Sequence, residues 1–236
     1  MTDLVKTFSK HVEVVGRKQG LAKVFNDVLR MGICSFHRVN IQSRLTEKDE
    51  ANEALYVETI KPYTKEELTE LAKALGVLQV NVLKNPYSDI LGDYFTLHIT
   101  RGQNGQFFTP DPVCEFMAAI THGDKDKKGA RVFDPACGSG RMLLAAAKNS
   151  PDNFFFGADN DLTCARMATL NFFLNGLRGE VAWMNSLSNE WYGGWQVNVN
   201  GLGIVPIEKE QSYSWHNGAL EQKENKPNGG EQFTLF

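Results

Sequence analysis

Residues 134–141 read Asp-Pro-Ala-Cys-Gly-Ser-Gly-Arg. They follow an apolar stub, Ala130-Arg131-Val132-Phe133, and precede a strongly helical run, Met142 to Lys148, so the two glycines fall at a strand-to-helix turn. Gly138 and Gly140 can take backbone angles closed to other residues and let a ligand approach the main chain. The helix start behind them presents N–H groups that the first turn leaves unpaired. No Lys-Ser/Thr follows the glycines, and the full G-x-G-x-x-G spacing is missing, which sets the turn apart from phosphate-binding and dinucleotide-binding loops. An acid at the strand end, Asp134, repels a diphosphate and suits a ligand that carries an amine.

The pattern on the C-terminal side of the turn repeats. A helix over Arg141 to Asn149 leads to Phe154-Phe155-Phe156-Gly157-Ala158-Asp159, a buried-type strand that again ends in an acid. A helix over Leu162 to Leu174 and a strand over Glu180 to Met184 follow. Successive β-α-β units predict a parallel sheet with helices on its faces. Upstream, Pro112 opens a helix through Phe116, Met117 and Ile120 to His122-Gly123, and a charged loop, Asp124 to Lys128, leads into the first strand. Farther back, Thr64-Lys65-Glu66-Glu67 reads as a capping box, with Leu68, Leu71, Ala72 and Leu75 as an apolar face before Gly76. Phe8, Val12, Val15, Leu21, Val24, Phe25, Val28 and Leu29 recur at helical spacing. Asn85-Pro86-Tyr87 breaks the chain before an amphipathic stretch, Ile90 to His98, and the loop Arg101 to Gly105.

The composition narrows the classes. The 236 residues are 42% hydrophobic, enough for a sizeable core. Lys+Arg 25 against Asp+Glu 28 leaves a net charge of −3, so any nucleic-acid contact is local or supplied by a partner. The four cysteines, Cys34, Cys114, Cys137 and Cys164, lack C-x-x-C spacing, and the five histidines are scattered, which predicts neither a disulfide framework nor a metal site. Met1 to Lys10 has no signal-peptide core and no apolar run is long enough to span a membrane, so a cytoplasmic location is expected.

Three segments together resemble a known family: Gln106-Phe107-Phe108-Thr109-Pro110, the Asp134 to Gly140 turn, and the Gly157-Ala158-Asp159-Asn160-Asp161 strand end. They look like the motifs of S-adenosylmethionine (SAM)-dependent DNA adenine-N6 methyltransferases, most nearly the modification subunits of type I restriction-modification systems. The match spans roughly residues 85 to 187. It implies a Rossmann-like α/β sheet, truncated here after three strands, SAM as cofactor and DNA as partner. It also implies a cofactor site made of Gln106, Phe107, Phe108, Thr109 and Pro110 as an aromatic wall and rigid turn, with Asp134, Ala136, Cys137, Gly138, Ser139 and Gly140 as the loop. In that site Asp134 accepts from a bound water or the methionine amine, and Asp159 accepts both ribose hydroxyls. Asn160 lies near the adenine, and Asn185, where many family members carry Asp, bonds its amino group.

The family's catalytic element, Asn or Asp followed by Pro-Pro and an aromatic, does not occur in these 236 residues. That element holds the amino group of a flipped-out adenine, and without it nothing aligns the nitrogen with the methyl donor. Asn85-Pro86-Tyr87 lies ahead of the cofactor motifs, and Asn189-Glu190-Trp191-Tyr192 follows the third strand too closely to replace it. No catalytic residue is therefore assigned, and a second polypeptide supplying that half is one expectation. The first strand, central in the family, would be left with an open edge. A hairpin over residues 195 to 207, with Asn200-Gly201-Leu202-Gly203 at its tip, or another chain, is expected to cover it. The expected organisation is a helical region over 1–104, a partial SAM-binding domain over 105–215 and a flexible tail over 216–236. The tail ends Gln232-Phe233-Thr234-Leu235-Phe236, which resembles the peptide by which bacterial DNA-associated proteins bind the sliding clamp through residues such as Gln232, Leu235 and Phe236. A noncatalytic adaptor is the alternative function on that account.

Overall fold

A computed structural model of the chain describes residues 3–38, 49–100, 108–121, 128–216 and 234–235. The helical region opens with α1 (Asp3–Gln19) and α2 (Leu21–Ser35), joined at Gly20, whose φ of 88° only glycine adopts freely. Of the residues predicted at helical spacing, Phe8, Val12 and Val15 on α1 and Val24, Phe25, Val28 and Leu29 on α2 are buried, and Leu21 is half-buried. Next comes α3 (Glu50–Ile60), capped by the Asp49 carboxylate, which accepts from the N–H groups of Ala51 and Asn52. The capping box is present at the start of α4 (Lys65–Lys84): Glu67 N donates to Thr64 Oγ1 at 3.2 Å and Thr64 N donates to Glu67 Oε2 at 2.9 Å.

Two details of α4 differ from expectation. Gly76 does not end the helix, because Leu71, Ala74 and Leu78 continue a buried stripe across it. Ala72 faces outward and is exposed. The break comes at Asn85, the C-cap, and at Tyr87, which takes φ 65°. Helix α5 (Ile90–Tyr94) then continues as a π-helical stretch, Phe95–Thr100.

The α/β part holds α6 (Asp111–Thr121), β1 (Arg131–Asp134), α7 (Arg141–Asn149), β2 (Phe154–Asp159), α8 (Leu162–Leu174) and β3 (Arg178–Asn185). Beyond β3 come β4 (Glu190–Val197), β5 (Ile204–Pro206) and the two-residue β6 (Thr234–Leu235). The predicted bounds of α7, β2 and α8 coincide with the observed ones. The sheet order is β5-β4-β3-β2-β1-β6. Strands β1, β2 and β3 run parallel, with Asp134 opposite Gly157 and Asp159 opposite Trp183, so the two acidic strand ends lie at the same end of the sheet.

The hairpin prediction needs correction. The turn pairs as expected, Val197 with Ile204 and Gln196 with Val205. Its first strand, however, begins at Glu190 and pairs antiparallel with β3, so the hairpin covers the β3 edge and not that of β1. The reason is local: only Ser186 to Asn189 separate β3 from β4, and a connection that short returns the chain antiparallel beside the strand it has left. The β1 edge is met instead by β6, parallel, with Val132 opposite Thr234 and Phe133 opposite Leu235.

The two faces are covered differently. Val132, Phe155, Val181 and Val197 belong to one cluster with α7, α8 and the N-terminal helices, including Phe8, Phe25, Leu71 and Tyr94. Phe133, Ala158, Ala182 and Met184 on the other face pack with Trp191 and Trp215. Residues 212–216 are held over this second face by Glu180, a buried carboxylate that accepts from Ser212 Oγ at 2.6 Å, Tyr213 N at 2.8 Å and Ser214 N at 3.1 Å. No described helix is long and apolar enough to cross a membrane. Replacing Glu180 by Ala strands these donors, so it should lower stability by about 2–4 kcal/mol in urea unfolding. Limited proteolysis should then cut first within residues 207–216.

Candidate functional site

Backbone geometry builds the site before any side chain enters. At the end of β1 the Asp134 carboxylate accepts from Ala136 N at 3.0 Å, which turns the chain sharply. Cys137 N then donates to Ala158 O at 2.9 Å, pinning the loop to the end of β2. Gly138 and Gly140 take φ of 56° and 84°, and Gly140 serves as the N-cap of α7 with no side-chain capping bond. The first turn of α7 is thus left open toward the loop. A Cβ on Gly138 would meet Cε1 of Phe108 at 2.7 Å, so glycine is required there for fit as well as for φ.

Phe108 is the described part of the expected aromatic wall. It lies against Gly138 and stacks on Phe95 with ring centroids 5.8 Å apart. Pro110 O accepts from Val113 N and Cys114 N and starts α6, and Thr109 O accepts from the Cys114 thiol. Thr109 and Pro110 are exposed. Gln106 and Phe107 lie outside the described residues, as do Gln232 and Phe236 and most of the expected tail.

Asp159 is half-buried at the end of β2. One carboxylate oxygen accepts from Gly138 N at 2.8 Å and the other from Asp161 N at 2.8 Å. The acid therefore shapes the glycine loop as well as facing it. Burial pushes its pKa above the usual carboxylate range, against the pull of the backbone donors. Asp134 is buried, 6% exposed, and burial pushes its carboxyl up to about 6, with the Ala136 N–H lowering it and the Asp159 charge raising it further. The two strand-end acids thus lie close enough for the Asp159 charge to raise Asp134. Ala136 and Asn160 are exposed, and Asn160 O accepts from the Trp183 indole at 3.1 Å. Asn185 turns its carboxamide oxygen to Leu187 N at 3.0 Å and Ser188 N at 3.2 Å, closing the turn after β3. Cys137 is buried and burial raises its thiol well above the usual range, so it packs as a small apolar group.

The structure also brings forward a group that sequence reasoning missed. Asp89, buried ahead of α5, accepts from Gly92 N at 2.8 Å, Ser139 Oγ at 2.5 Å, Asn171 Nδ2 at 2.8 Å and Arg141 Nε at 3.0 Å. Asn171 also donates to Ser139 O at 2.9 Å. Arg141 reaches Asp93 at 2.6 Å and Asp111 at 3.3 Å as well. Burial opposes the charge on Arg141, and the three carboxylates outweigh it and raise its pKa. The only sequence signal was Asp89 three residues before Gly92, the spacing of a helix cap. Its partners fifty and more residues away left no mark.

A family model described as N-6 DNA Methylase matches residues 80–226, which span the glycine loop, both acids and the Asp89 cluster. The chain belongs to the N-6 DNA methylase family. Among similar proteins of this kind, the type I restriction enzyme MpnII methylase subunit of Mycoplasma pneumoniae is 27% identical over 64% of this chain and 31% of its own length. The MjaVIII methylase subunit of Methanocaldococcus jannaschii is 32% identical over 49% of this chain and 21% of its own. The crystal structure of a type I restriction-modification methyltransferase subunit from Streptococcus thermophilus aligns with 72% of this chain and 36% of that one, at 25% identity and a TM-score of 0.36. The chain thus spans about a third or less of the methylase subunits it matches.

The site gives a sign that can be checked. A carboxyl whose folded pKa is raised favours the folded state at low pH, and that contribution is lost as pH rises from 3.8 through about 6. Asp134→Asn should therefore stabilise the ligand-free protein by about 3 kcal/mol at pH 7.5. The gain should vanish near pH 4. Urea unfolding at both pH values measures it.

Proposed function

We propose that residues 105–215 are the SAM-binding part of a DNA adenine-N6 methyltransferase of the type I modification-subunit kind, preceded by a helical region over 1–104. The observation that carries this reading is the pair of acids, Asp134 and Asp159, on either side of Gly138, with the uncapped start of α7 behind them. That arrangement fits an amino acid joined to a nucleoside. The ammonium relieves the crowded negative charge beside Asp134, while the carboxylate is drawn to the free N–H groups of α7. Asp159 offers acceptors to the ribose hydroxyls, and Phe108 closes one wall over the loop. A diphosphate would be repelled by the same two acids.

The bound cofactor supplies a methyl group on a positively charged sulfur. What this chain contributes is its placement and the exclusion of water around it. The acceptors that would align an adenine amino group, a polar residue followed by Pro-Pro and an aromatic, do not occur in these residues. Methyl transfer accordingly requires that element from outside these residues. DNA is the substrate by the same family argument. A clamp-binding adaptor role draws on the sequence of the tail, and it would require Thr234 and Leu235 to leave β1.

Calorimetric titration with SAM tests the site. Asp159→Ala should weaken binding at least tenfold, the loss expected when about 1.5–3 kcal/mol of charge-assisted hydrogen bonding is removed. Circular dichroism checks that the loop still folds. Affinity should also fall as pH drops below about 6, where Asp134 takes up a proton, and Asp134→Asn should bind more weakly with little pH dependence. Unchanged binding by Asp159→Ala would overturn the assignment.

A further inference from the structure

The two ends of the sheet are finished in opposite ways. At one end β5 is three residues long and closes on Pro206, which has no N–H to offer a neighbour, and His37 bridges to Ile204 beside it. That edge is guarded in the manner expected of a permanent sheet boundary. At the other end β1 has no proline, and its register with β2 is unbroken over all four residues, with no bulge to twist the edge away. Val132 and Asp134 are buried, and Phe133 packs against the cluster of Ala158, Ala182 and Met184 on the opposite face. Burial on both faces is the pattern of an interior strand. Yet among the described residues its outer edge is paired at two positions, with Thr234 and Leu235.

We infer that the β1 edge is an acceptor for an extended peptide strand running parallel to it, and that the C-terminal strand of this chain is its exchangeable occupant. Main-chain pairing with no specific pocket is the mode by which proteins add a strand to an open edge. A two-residue ladder forms few bonds, so it opens far more readily than the β1–β2–β3 ladder behind it. The consequence reaches the glycine loop, because β1 ends in Asp134 and the edge amides lie directly before the turn. The inference stands on the sheet geometry and does not depend on which ligand the loop binds.

Hydrogen exchange of the β1 amides in the full chain, and in a chain lacking residues 232–236, tests this directly. Removing the tail should speed exchange at Val132, Phe133 or Asp134 at least tenfold while β2 and β3 stay protected. A synthetic peptide of residues 230–236 added to the shortened chain should restore protection, and the same peptide with Thr234→Pro should not. Thr234→Pro, which keeps the tail but removes a backbone N–H, should behave like the deletion. Equal β1 exchange with and without the tail would overturn the inference. So would acceleration spread evenly over β2 and β3, which would make the tail a general stabiliser, or failure of the peptide to protect.

Discussion

The carboxylate of Asp89 joins the helical region to the α/β sheet. It takes one bond from its own helix at Gly92, one from the loop at Ser139, one from α8 at Asn171 and one from α7 at Arg141. A buried charge is tolerated only when its lone pairs are occupied and a counter-charge lies near, and here both conditions are met by residues that border the glycine turn. The backbone of residues 138–140 is thereby fixed from beneath, at Ser139. From the sheet side the same loop is held by Cys137 N on Ala158 O and by Gly138 N on Asp159. A ligand would find this turn already shaped.

The electrostatics of the turn follow from that placement. Asp134 is buried and Asp159 half-buried at the two strand ends that flank the loop. Burial is the main reason both carboxyls are raised, and at Asp134 the Asp159 charge adds to the rise, so a cation beside Asp134 would favour its charged form. This is the physical reason for reading the site as a receptor for an ammonium-bearing nucleoside, and it uses no feature of the chain beyond the two strand ends and the loop between them.

Much of this was legible in the sequence wherever the signal was local. The β-α-β order, the bounds of α7, β2 and α8, and the capping box at Thr64 and Glu67 come from patterns within a few residues, where periodicity and hydrogen-bond chemistry decide the outcome. Long-range choices were not legible. The start of β4 at Glu190 was missed because Trp191, Tyr192, Gly193 and Gly194 lack clean alternation, and the side of the sheet it joined depended on the short turn after β3. The reach of α4 past Gly76 was set by tertiary burial of Leu78, which outweighs the weak helix propensity of one glycine. Asp89 and Glu180 look like ordinary acids in sequence, and only the fold supplies the donors that make them anchors.

The central claim is that the turn at residues 134–140, with Asp159 beside it, receives SAM. An NMR titration of the isotopically labelled chain with SAM tests it most directly, because it reports every backbone amide at once. The account predicts the largest shifts at Gly138, Gly140, Arg141 and Asp161, with β4 and β5 unchanged. Shifts confined to other surfaces, with the glycine loop silent at saturating SAM, would contradict it.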